Sequence, residues 1–341
     1  MSTLAALIDA DHDAACYERG PVMAARSGGS TRIFRFAHVD PVLVRAAGAA
    51  RDGFERWSRL ADRPMLSTNG CVITGTGVAE RAAAMADAGA EYELLGVGSG
   101  RLRLPVVSEP AAALLDVGGG VVDVAAVREF LTARAGHAVV REPVYALSIS
   151  PGGAATVTSA GGTAEFDAVV LAAGASTSHL AAQVGLYTPP QLGHHVRFTF
   201  PVEGTGWQSW IDDPAVGVST YQHEAGPGRW AVGGHVDPAE TAWERGRESA
   251  EAASRRVISD YVVRALTVRP EVVDTLYCTT MPTLGDGIQF RRNGPILVVY
   301  GENLMKFAPV LGAGLATAAV AGTTPSEASL VALADEQDDA S

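Results

Sequence analysis

A single lysine, Lys306, lies between Met305 and Phe307 in the stretch GENLMKFAPVL. It is the only lysine in 341 residues, and the other 25 of the 26 Lys and Arg residues are arginine. A compact ammonium group can occupy a small apolar pocket, whereas a guanidinium group needs more width and a planar partner. The apolar neighbours therefore mark Lys306 as a candidate functional residue. The alternative is a lysine that persists by chance on a surface loop.

Cys278, in the stretch LYCTTMPT, and His235, at the end of RWAVGGH, are two further candidates. A buried cysteine is commonly a small hydrophobic residue, and a histidine at the end of a strand is commonly structural, so both interpretations stay open. His194 and His195 begin a predicted strand, and nothing beside them suggests a metal. No Cys/His cluster has the spacing of metal ligands. The sequence therefore predicts no metal site.

The composition excludes several classes of protein. The net charge is −12 and the pI is about 5.1, and no cluster of basic residues forms a stripe, so nucleic-acid binding is not expected. Three cysteines, an odd and sparse number, indicate a reducing compartment without a disulfide framework. Residues 1–15 lack the basic segment of a signal peptide. The longest apolar run, 307–322, is shorter than a membrane span. These features predict a cytoplasmic protein without a membrane partner.

Strand-like and helix-like patterns alternate along the chain. Runs rich in β-branched residues predict strands, and amphipathic patterns predict helices. Asp123 is predicted to cap the helix VAAVREFLTARAG, which Gly136 ends. Elements alternate at both ends of the chain, and the middle is richer in hairpin-like strands, which predicts an α/β nucleotide-binding domain with an inserted mixed-sheet domain. The predicted strands are 13–18, 137–142, 144–150, 154–160, 166–174, 194–202, 229–235 and 294–301, and the predicted helices are 2–9, 40–60, 78–88, 123–135, 176–185, 239–267 and 309–321.

The first residues, STLAALIDADHDAACYERG, predict a helix, a turn and a strand that ends at Glu18. In a dinucleotide-binding βαβ unit, an acidic residue ends the second strand and binds the ribose hydroxyl groups. The matching glycine turn, G-x-G-x-x-G, is absent, and its third glycine would fall just before Met1. This spacing suggests that the chain begins after the first strand and the phosphate loop. The alternative is an ordinary helix and strand that end in a chance glutamate.

Five segments, in family order along nearly the whole chain, resemble the monomeric sarcosine oxidase family. This family of FAD-dependent amine oxidases includes N-methyltryptophan oxidase and pipecolate oxidase. Each motif alone is weak, and the five in order are specific. The segments are RSGGSTRIFRFAH (26–38), GGGVVDVAAVREFLTARAGHAVVREPVYALSISPGG (118–153), FDAVVLAAGASTSHL (166–180), LYCTTMPTLGDGIQF (276–290) and VVYGENLMKFAPVLGAGLA (298–316).

The resemblance implies roles for particular residues. Lys306 and Arg35 would bind the carboxylate of a small amine or amino acid beside the flavin, and Arg32 would lie against the flavin ring. His235 would line the substrate pocket, and Cys278 would carry FAD through a thioether bond to the 8-methyl carbon. The residues expected to bind FAD are Glu18, Ser30, Thr31, Arg32, Val144, Gly174, Cys278, Gly301 and Lys306.

The resemblance also implies the architecture. A Rossmann-like, discontinuous FAD-binding domain would comprise residues 1–60, 109–187 and 285–341. An α+β substrate domain, residues 61–108 and 188–284, would cover the flavin with its mixed sheet. The protein is expected to be a monomer that oxidises the C–N bond of an amino acid or N-alkyl amino acid to an imine.

The sequence departs from the family at two places. Ala231 stands where the oxidases carry a lysine that promotes the reaction of reduced flavin with oxygen, and no lysine other than Lys306 exists in the chain. Glu302, Asn303 and Leu304 replace small and histidine residues of the closing motif. These differences leave alternatives open: a dehydrogenase with another electron acceptor, an enzyme for a bulkier cyclic amino acid, or a truncated or non-catalytic homologue.

Overall fold

The computed structural model describes residues 1–189, 191–281 and 287–331. Residues 282–286, within the fourth matching segment, and the end of the predicted FAD-binding domain beyond residue 331 lie outside this description. The helices are α1 (Ser2–Asp9), α2 (Pro41–Ala61), α3 (Val78–Asp87), α4 (Val124–Ala135), α5 (Thr177–Gln183), α6 (Pro238–Thr241), α7 (Arg247–Ala265) and α8 (Ala308–Ala321). The strands are β1 (Cys16–Tyr17), β2 (Thr31–Phe34), β3 (Cys71–Gly75), β4 (Tyr92–Gly96), β5 (Ala112–Asp116), β6 (Gly120–Asp123), β7 (Val139–Val140), β8 (Val144–Ile149), β9 (Ala155–Ser159), β10 (Gly162–Phe166), β11 (Val169–Leu171), β12 (Gly193–Pro201), β13 (Ser209–Asp213), β14 (Thr220–Glu224), β15 (Arg229–Gly234), β16 (Asp274–Thr280), β17 (Ile288–Asn293) and β18 (Ile296–Gly301).

The largest sheet has eight strands in the order β16-β12-β15-β14-β13-β3-β5-β4. Its neighbouring strands are antiparallel except for β13 and β3, which are parallel. One face packs on α7 through a core that includes Phe198, Trp230 and Ile258. Because successive side chains of a strand point to opposite faces, the residues between these apolar positions lie on the other face of the sheet.

Smaller sheets form a second layered unit. β1 pairs in parallel with β7, and β11 pairs in parallel with β18, which also pairs with β17. Alternate residues of β18 face two cores: Leu297 packs with the helices α1, α4 and α8, whereas Val298 packs with α5, β8 and β9. In β1, Cys16 and Tyr17 divide in the same way between these cores. The two parallel pairs therefore occupy one layer between helices and a three-stranded meander of β8, β9 and β10.

The predicted helices are confirmed to within one or two residues, with one exception. Asp123 caps α4 by accepting a hydrogen bond from Ala126 N at 2.9 Å. The predicted helix 239–267 is instead two helices, α6 and α7, because Gly246 adopts φ +77° between them. The strands that the sequence analysis did not predict are β2, β3, β4, β5, β6, β10, β13, β14, β16 and β17.

Two observations bear on the domain boundaries and on membranes. β5 lies in the eight-stranded sheet, although the predicted boundary at residue 109 places it with the FAD-binding segments. The exact boundaries remain a prediction. Within the described residues, one helical segment, 304–321, is long and apolar enough to span a membrane by length and composition, and most of it is buried in the protein, as in the core helix of a soluble protein.

Candidate active site

A group of polar side chains covers the sheet face that points away from α7. His195 lies opposite Cys278 across the β12–β16 pair. Arg197 on β12 and Tyr221 on β14 both lie opposite a β15 glycine, and His223 lies opposite the β15 residue Ala231. Residues directly opposite each other on paired strands share one face. We call His195, Arg197, Tyr221, His223 and Cys278 the polar face.

The start of β2 lies on the polar face. Thr31 Oγ1 is 3.0 Å from His223 Nε2, and Arg197 Nη1 donates a hydrogen bond to Thr31 O at 3.0 Å. Arg32 donates to three backbone carbonyl groups of its own loop, including that of Thr31 at 2.8 Å and that of Arg26 at 3.2 Å. The loop before β2 thus fixes the Arg32 guanidinium beside the sheet.

Burial sets the electrostatics of the polar face. Burial, and then the neighbouring Arg32, lowers the pKa of Arg197 to about 10. Burial also lowers the pKa of Arg32, and this is partly offset by Cys278 and Tyr221. Burial raises the pKa of the Cys278 thiol above its ordinary value, against the opposing effect of Arg32 and Arg26. The site therefore holds cations beside a largely protonated thiol.

Tyr221 and His195 form a neutral hydrogen-bonded pair. Tyr221 Oη lies 2.6 Å from His195 Nε2, and the rings stack with centroids 5.4 Å apart. Burial, and then His235, lowers the pKa of His195 to about 4, and burial raises the pKa of Tyr221. Both side chains are therefore neutral, and one hydrogen bond joins Oη and Nε2. Gly233 makes room for this contact, because a Cβ atom there would overlap the Tyr221 ring.

His235 lies at the rim of the site. It follows β15, is exposed, and has its ring 6.5 Å from that of His195. Its backbone N–H donates to Ser219 O at 2.9 Å. The position is compatible with the wall of a pocket, and its predicted role there remains a prediction.

Arg35 and Lys306 form a second buried group. Their exposed fractions are 7% and 4%, and both lower the pKa of the same neighbour, Cys71, which burial raises to about 12. Arg35 donates to Ala37 O. Lys306 lies in the 3-10 turn Leu304–Phe307, with its Nζ 6.0 Å from the Phe307 ring centroid. The structure thus brings these two predicted carboxylate ligands to one buried neighbourhood.

Of the remaining predicted FAD ligands, Glu18, Gly174 and Gly301 lie at or just after the ends of strands in parallel pairs. Val144 lies at the start of the antiparallel strand β8, and Ser30 precedes β2. Glu18 follows β1, and its Oε1 accepts a hydrogen bond from Gly20 N at 3.0 Å. Gly174 follows β11, and Gly301 ends the neighbouring parallel strand β18. Val144 begins β8, and Ser30 O accepts a hydrogen bond from Val124 N at 2.8 Å. Ligands commonly bind at the carboxyl ends of parallel strands, as at Glu18, Gly174 and Gly301.

Sequence reasoning missed Arg197, Tyr221 and His223. One signal was available for Arg197: in HHVRFTF, it alternates with Val196 and Phe198, as a polar residue on one face of a strand does. Tyr221 and His223 alternate in the same way in TYQHE, but that strand was not predicted. No three of His, Cys, Asp and Glu lie close enough to hold a metal ion in the part of the chain that is described.

Solved structures share this fold. NikD, an unusual amino acid oxidase essential for nikkomycin biosynthesis, matches in its open form with a TM-score of 0.82 and 20% identity over 97% of this chain and 93% of that chain. L-proline dehydrogenase from P. horikoshii matches with a TM-score of 0.75 and 15% identity over 96% and 92%. Glycine oxidase from Geobacillus kaustophilus matches with a TM-score of 0.73 and 17% identity over 94% and 91%.

These likenesses show a Rossmann-like fold with a substrate domain, as the resemblance predicted. No curated protein matches the chain. A family model described as FAD-dependent oxidoreductase matches residues 1–322. The chain therefore belongs to the DAO family of FAD-dependent oxidoreductases.

Proposed function

We propose that this enzyme oxidises the C–N bond of an amino acid or N-alkyl amino acid to an imine, which water hydrolyses. The observation that carries the proposal is the burial of Arg35 and Lys306 in one neighbourhood. Buried cations bind carboxylates through charge-assisted hydrogen bonds. FAD, when bound, accepts the hydride equivalent from the carbon next to nitrogen.

The residues of the site fit FAD. Arg197 Nε and His223 Nδ1, both on the polar face, are buried polar atoms without a hydrogen-bond partner among the described residues. The flavin carries carbonyl groups that can accept such hydrogen bonds, and its reduced form carries negative charge that buried cations stabilise. We infer that Arg32 and Thr31 hold the ring portion. Glu18 and Val144 would hold the adenosine portion.

The chain's own residues would position the substrate. Arg35 and Lys306 would hold the carboxylate and so fix the reacting carbon in one place, which lowers the entropic part of the barrier. The Lys306 position is set by the 3-10 turn, which begins after Asn303 in the left-handed conformation (φ +59°) and leads directly into α8. His235, at the rim, would limit access of water.

The named relatives support the substrate class. NikD and glycine oxidase are amino acid oxidases by name, and L-proline dehydrogenase also acts on an amino acid. A dehydrogenase reaction stays a second candidate because Ala231 is fully buried and brings no charge. Arg197, on the neighbouring strand β12, lies opposite Gly233, two residues along β15 from Ala231, and carries a positive charge on that face.

We further propose that FAD is covalently attached through Cys278. Forming the thioether would break the S–H bond of Cys278 and one C–H bond of the 8-methyl group, and oxygen would accept the two electrons and two protons released. The attacking species is the thiolate. Because burial raises the pKa of Cys278, we expect attachment to be slow at pH 7 and to quicken as pH rises toward 9.

The test uses purified protein incubated with FAD. Under anaerobic conditions, amino acids or N-methyl amino acids should bleach the flavin absorbance, and amines without a carboxylate should not. Admission of oxygen or an artificial acceptor then separates an oxidase from a dehydrogenase. Flavin should remain with the acid-precipitated protein, and Cys278→Ser should release it. Bound flavin that no amino acid bleaches would contradict the proposed function, whereas acid-released flavin would contradict only the attachment.

A further inference from the structure

Glu302, one of the residues that depart from the closing motif, connects three segments of the candidate site. It directly follows β18 and comes shortly before the 3-10 turn that carries Lys306. Its Oε1 accepts hydrogen bonds from Met281 N at 2.5 Å and from Thr280 Oγ1 at 3.2 Å. Its Oε2 forms a salt bridge with Arg26 Nη2 at 2.8 Å. Both oxygen atoms of one carboxylate therefore hold neighbouring segments.

The Arg26 end of this salt bridge belongs to the loop before β2. Arg26 O accepts a hydrogen bond from Arg32 Nη2 at 3.2 Å, so Arg26 contacts Glu302 with its side chain and Arg32 with its backbone. The same loop lies against β16, because a Cβ atom at Gly29 would lie 2.8 Å from Leu276 Cδ2. Glu302 thus joins this loop to the end of a strand that the loop already contacts.

Cys278 lies on β16 between these two contacts. Leu276 comes two residues before it, on the same face of the strand. Thr280, which donates to Glu302, comes two residues after it. The strand is therefore held on both sides of the thiol. A group that reacts at one particular carbon atom needs such a fixed position.

We propose that Glu302 and Arg26 are positioning residues, which together hold the Cys278 segment against the loop before β2 and so orient the thiol toward FAD. The inference rests on the proposed function, in which Cys278 carries FAD. It gives a role to the glutamate that replaces a small residue of the closing motif. The side chains of Arg26 and Glu302 are 22% and 21% exposed, and a partly exposed salt bridge contributes little to stability. We therefore expect the pair to affect attachment more than folding.

The two charges act on the Cys278 thiol in opposite directions. Burial raises the pKa of Cys278, and Arg32 lowers it. Of the pair, Arg26 lowers this pKa and Glu302 raises it. Because the thiolate is the reactive form, an effect of charge alone would make the thiol less reactive without Arg26 and more reactive without Glu302. A role in positioning predicts changes in the same direction, since either loss breaks the same contact.

The first test measures how fast acid-stable flavin forms when saturating FAD is added to the purified protein. Glu302→Ala should slow this by at least about tenfold, because it removes several hydrogen bonds to one charged group. Arg26→Ala should also slow it, and the double variant should match Glu302→Ala, because Arg26 acts through Glu302. Faster attachment in Glu302→Ala, or an unchanged rate in both single variants, would overturn the proposal.

Glu93→Ala is the matched control. Glu93 also forms a salt bridge, with Arg101 at 2.6 Å, but it lies on β4, at the opposite edge of the eight-stranded sheet from β16. This variant should attach FAD at the wild-type rate. Equal slowing in Glu93→Ala and Glu302→Ala would show a general effect of net charge and would also contradict the proposal.

Alkylation of Cys278 by iodoacetamide without FAD, followed by the mass of its peptide, separates this inference from the proposed function. A loosened segment exposes the thiol, so Arg26→Ala should be alkylated faster than the wild type, although it loses a charge that favours the thiolate. Slower alkylation of Arg26→Ala would show an effect of charge alone and would overturn the proposal. Faster alkylation of Arg26→Ala and Glu302→Ala, without acid-stable flavin even in the wild type, would retain the hold on Cys278 and refute the attachment. Neither measurement requires oxidation of a substrate, so failure of the proposed oxidation would leave this inference standing.

Discussion

At the scale of single residues, the main feature of the candidate active site is its buried cationic side chains. Arg35, Lys306 and Arg197 are all almost fully buried, although charged residues are rarely so unless they are paired or bind a ligand. They divide into two groups: Arg35 and Lys306 near Cys71, and Arg197 on the polar face.

Lys306 gives the sharpest residue-level prediction. Lys306→Met keeps the length of the stem and removes the charge, so kcat/KM for a substrate with a carboxylate should fall by at least about tenfold, since a charge-assisted hydrogen bond contributes about 1.5–3 kcal/mol. Lys306→Arg should fail as well, because the wider guanidinium would displace the substrate. Steady-state kinetics of both variants measures this. An amine without a carboxylate is the control and should respond little to either change.

Full activity of Lys306→Arg on every amino acid tested would contradict this role. The lone lysine would then be an accident of composition, and the carboxylate would bind elsewhere.

At the scale of elements, the sequence allowed prediction of helices better than of the polar face. Asp123 caps α4 through a local hydrogen bond, so the sequence alone allowed its prediction. Gly246 is also a local signal, because its positive φ ends α6 and splits one predicted helix into two. The polar face depends on register between distant strands: His195 lies opposite Cys278, 83 residues later. A shift of one residue would turn each side chain to the other face, and no local pattern sets that register.

The same limit applies to the residues of the candidate site. Arg32, Arg35 and Lys306 were found through motif resemblance, and the structure places the last two in one neighbourhood. Arg197 is on β12 and His223 is on β14, and they come into contact because only β15 lies between these two strands in the sheet. Their contact at 3.2 Å is a product of tertiary structure, which a single sequence does not display.

The packing of α2 against α8 gives a prediction for helices. A Cβ atom at Gly53 would overlap Pro309 Cβ and lie 3.1 Å from Pro309 Cγ. Gly53→Ala should therefore push apart two helices, one of which follows the Lys306 turn, and should destabilise the protein by about 1–3 kcal/mol. Urea denaturation measures the change in the free energy of unfolding.

Gly48→Ala, in the same helix α2, is the control. Its Cβ atom would lie 3.5 Å from Phe36 Cε1, an ordinary contact, and replacing a helical glycine with alanine stabilises by about 0.5–1 kcal/mol. Equal stability of the two variants would show that the helices can separate without cost.

At the scale of the whole molecule, Asp116 joins the eight-stranded sheet to the segment that carries Arg35. It ends β5, and its Oδ2 accepts hydrogen bonds from Phe36 N and Ala37 N at 2.5 and 3.1 Å. Burial raises its pKa to about 6, against these hydrogen bonds and the charge of Arg35. The carboxyl group at this junction is therefore easier to protonate in the folded protein than in the unfolded chain.

The pH dependence of stability follows from that shift. The unfolded pKa of an aspartate is about 3.9, so the folded state holds a proton that the unfolded chain lacks between about pH 4 and pH 6. The contribution of Asp116 to the free energy of unfolding is fully present below pH 4 and is lost as pH rises through 6. The loss is about 3 kcal/mol, because each unit of pKa shift corresponds to about 1.36 kcal/mol. Asp116→Asn, which does not ionise and keeps an acceptor oxygen, should lack this loss.

Urea denaturation of the wild type and of Asp116→Asn at pH 4 and pH 7 tests this link between the two parts of the molecule. The free energy of unfolding of Asp116→Asn, relative to that of the wild type, should be higher at pH 7 than at pH 4. Asp213→Asn, measured at pH 2 as well, should show the opposite sign, because hydrogen bonds from Ser219 and Thr76 lower the pKa of Asp213. Its contribution is present above the unfolded pKa of about 3.9 and is lost as pH falls below that value. A constant difference between wild type and Asp116→Asn would mean that Asp116 stays ionised throughout. The junction would then be held by a permanent carboxylate paired with the positive charge near Arg35.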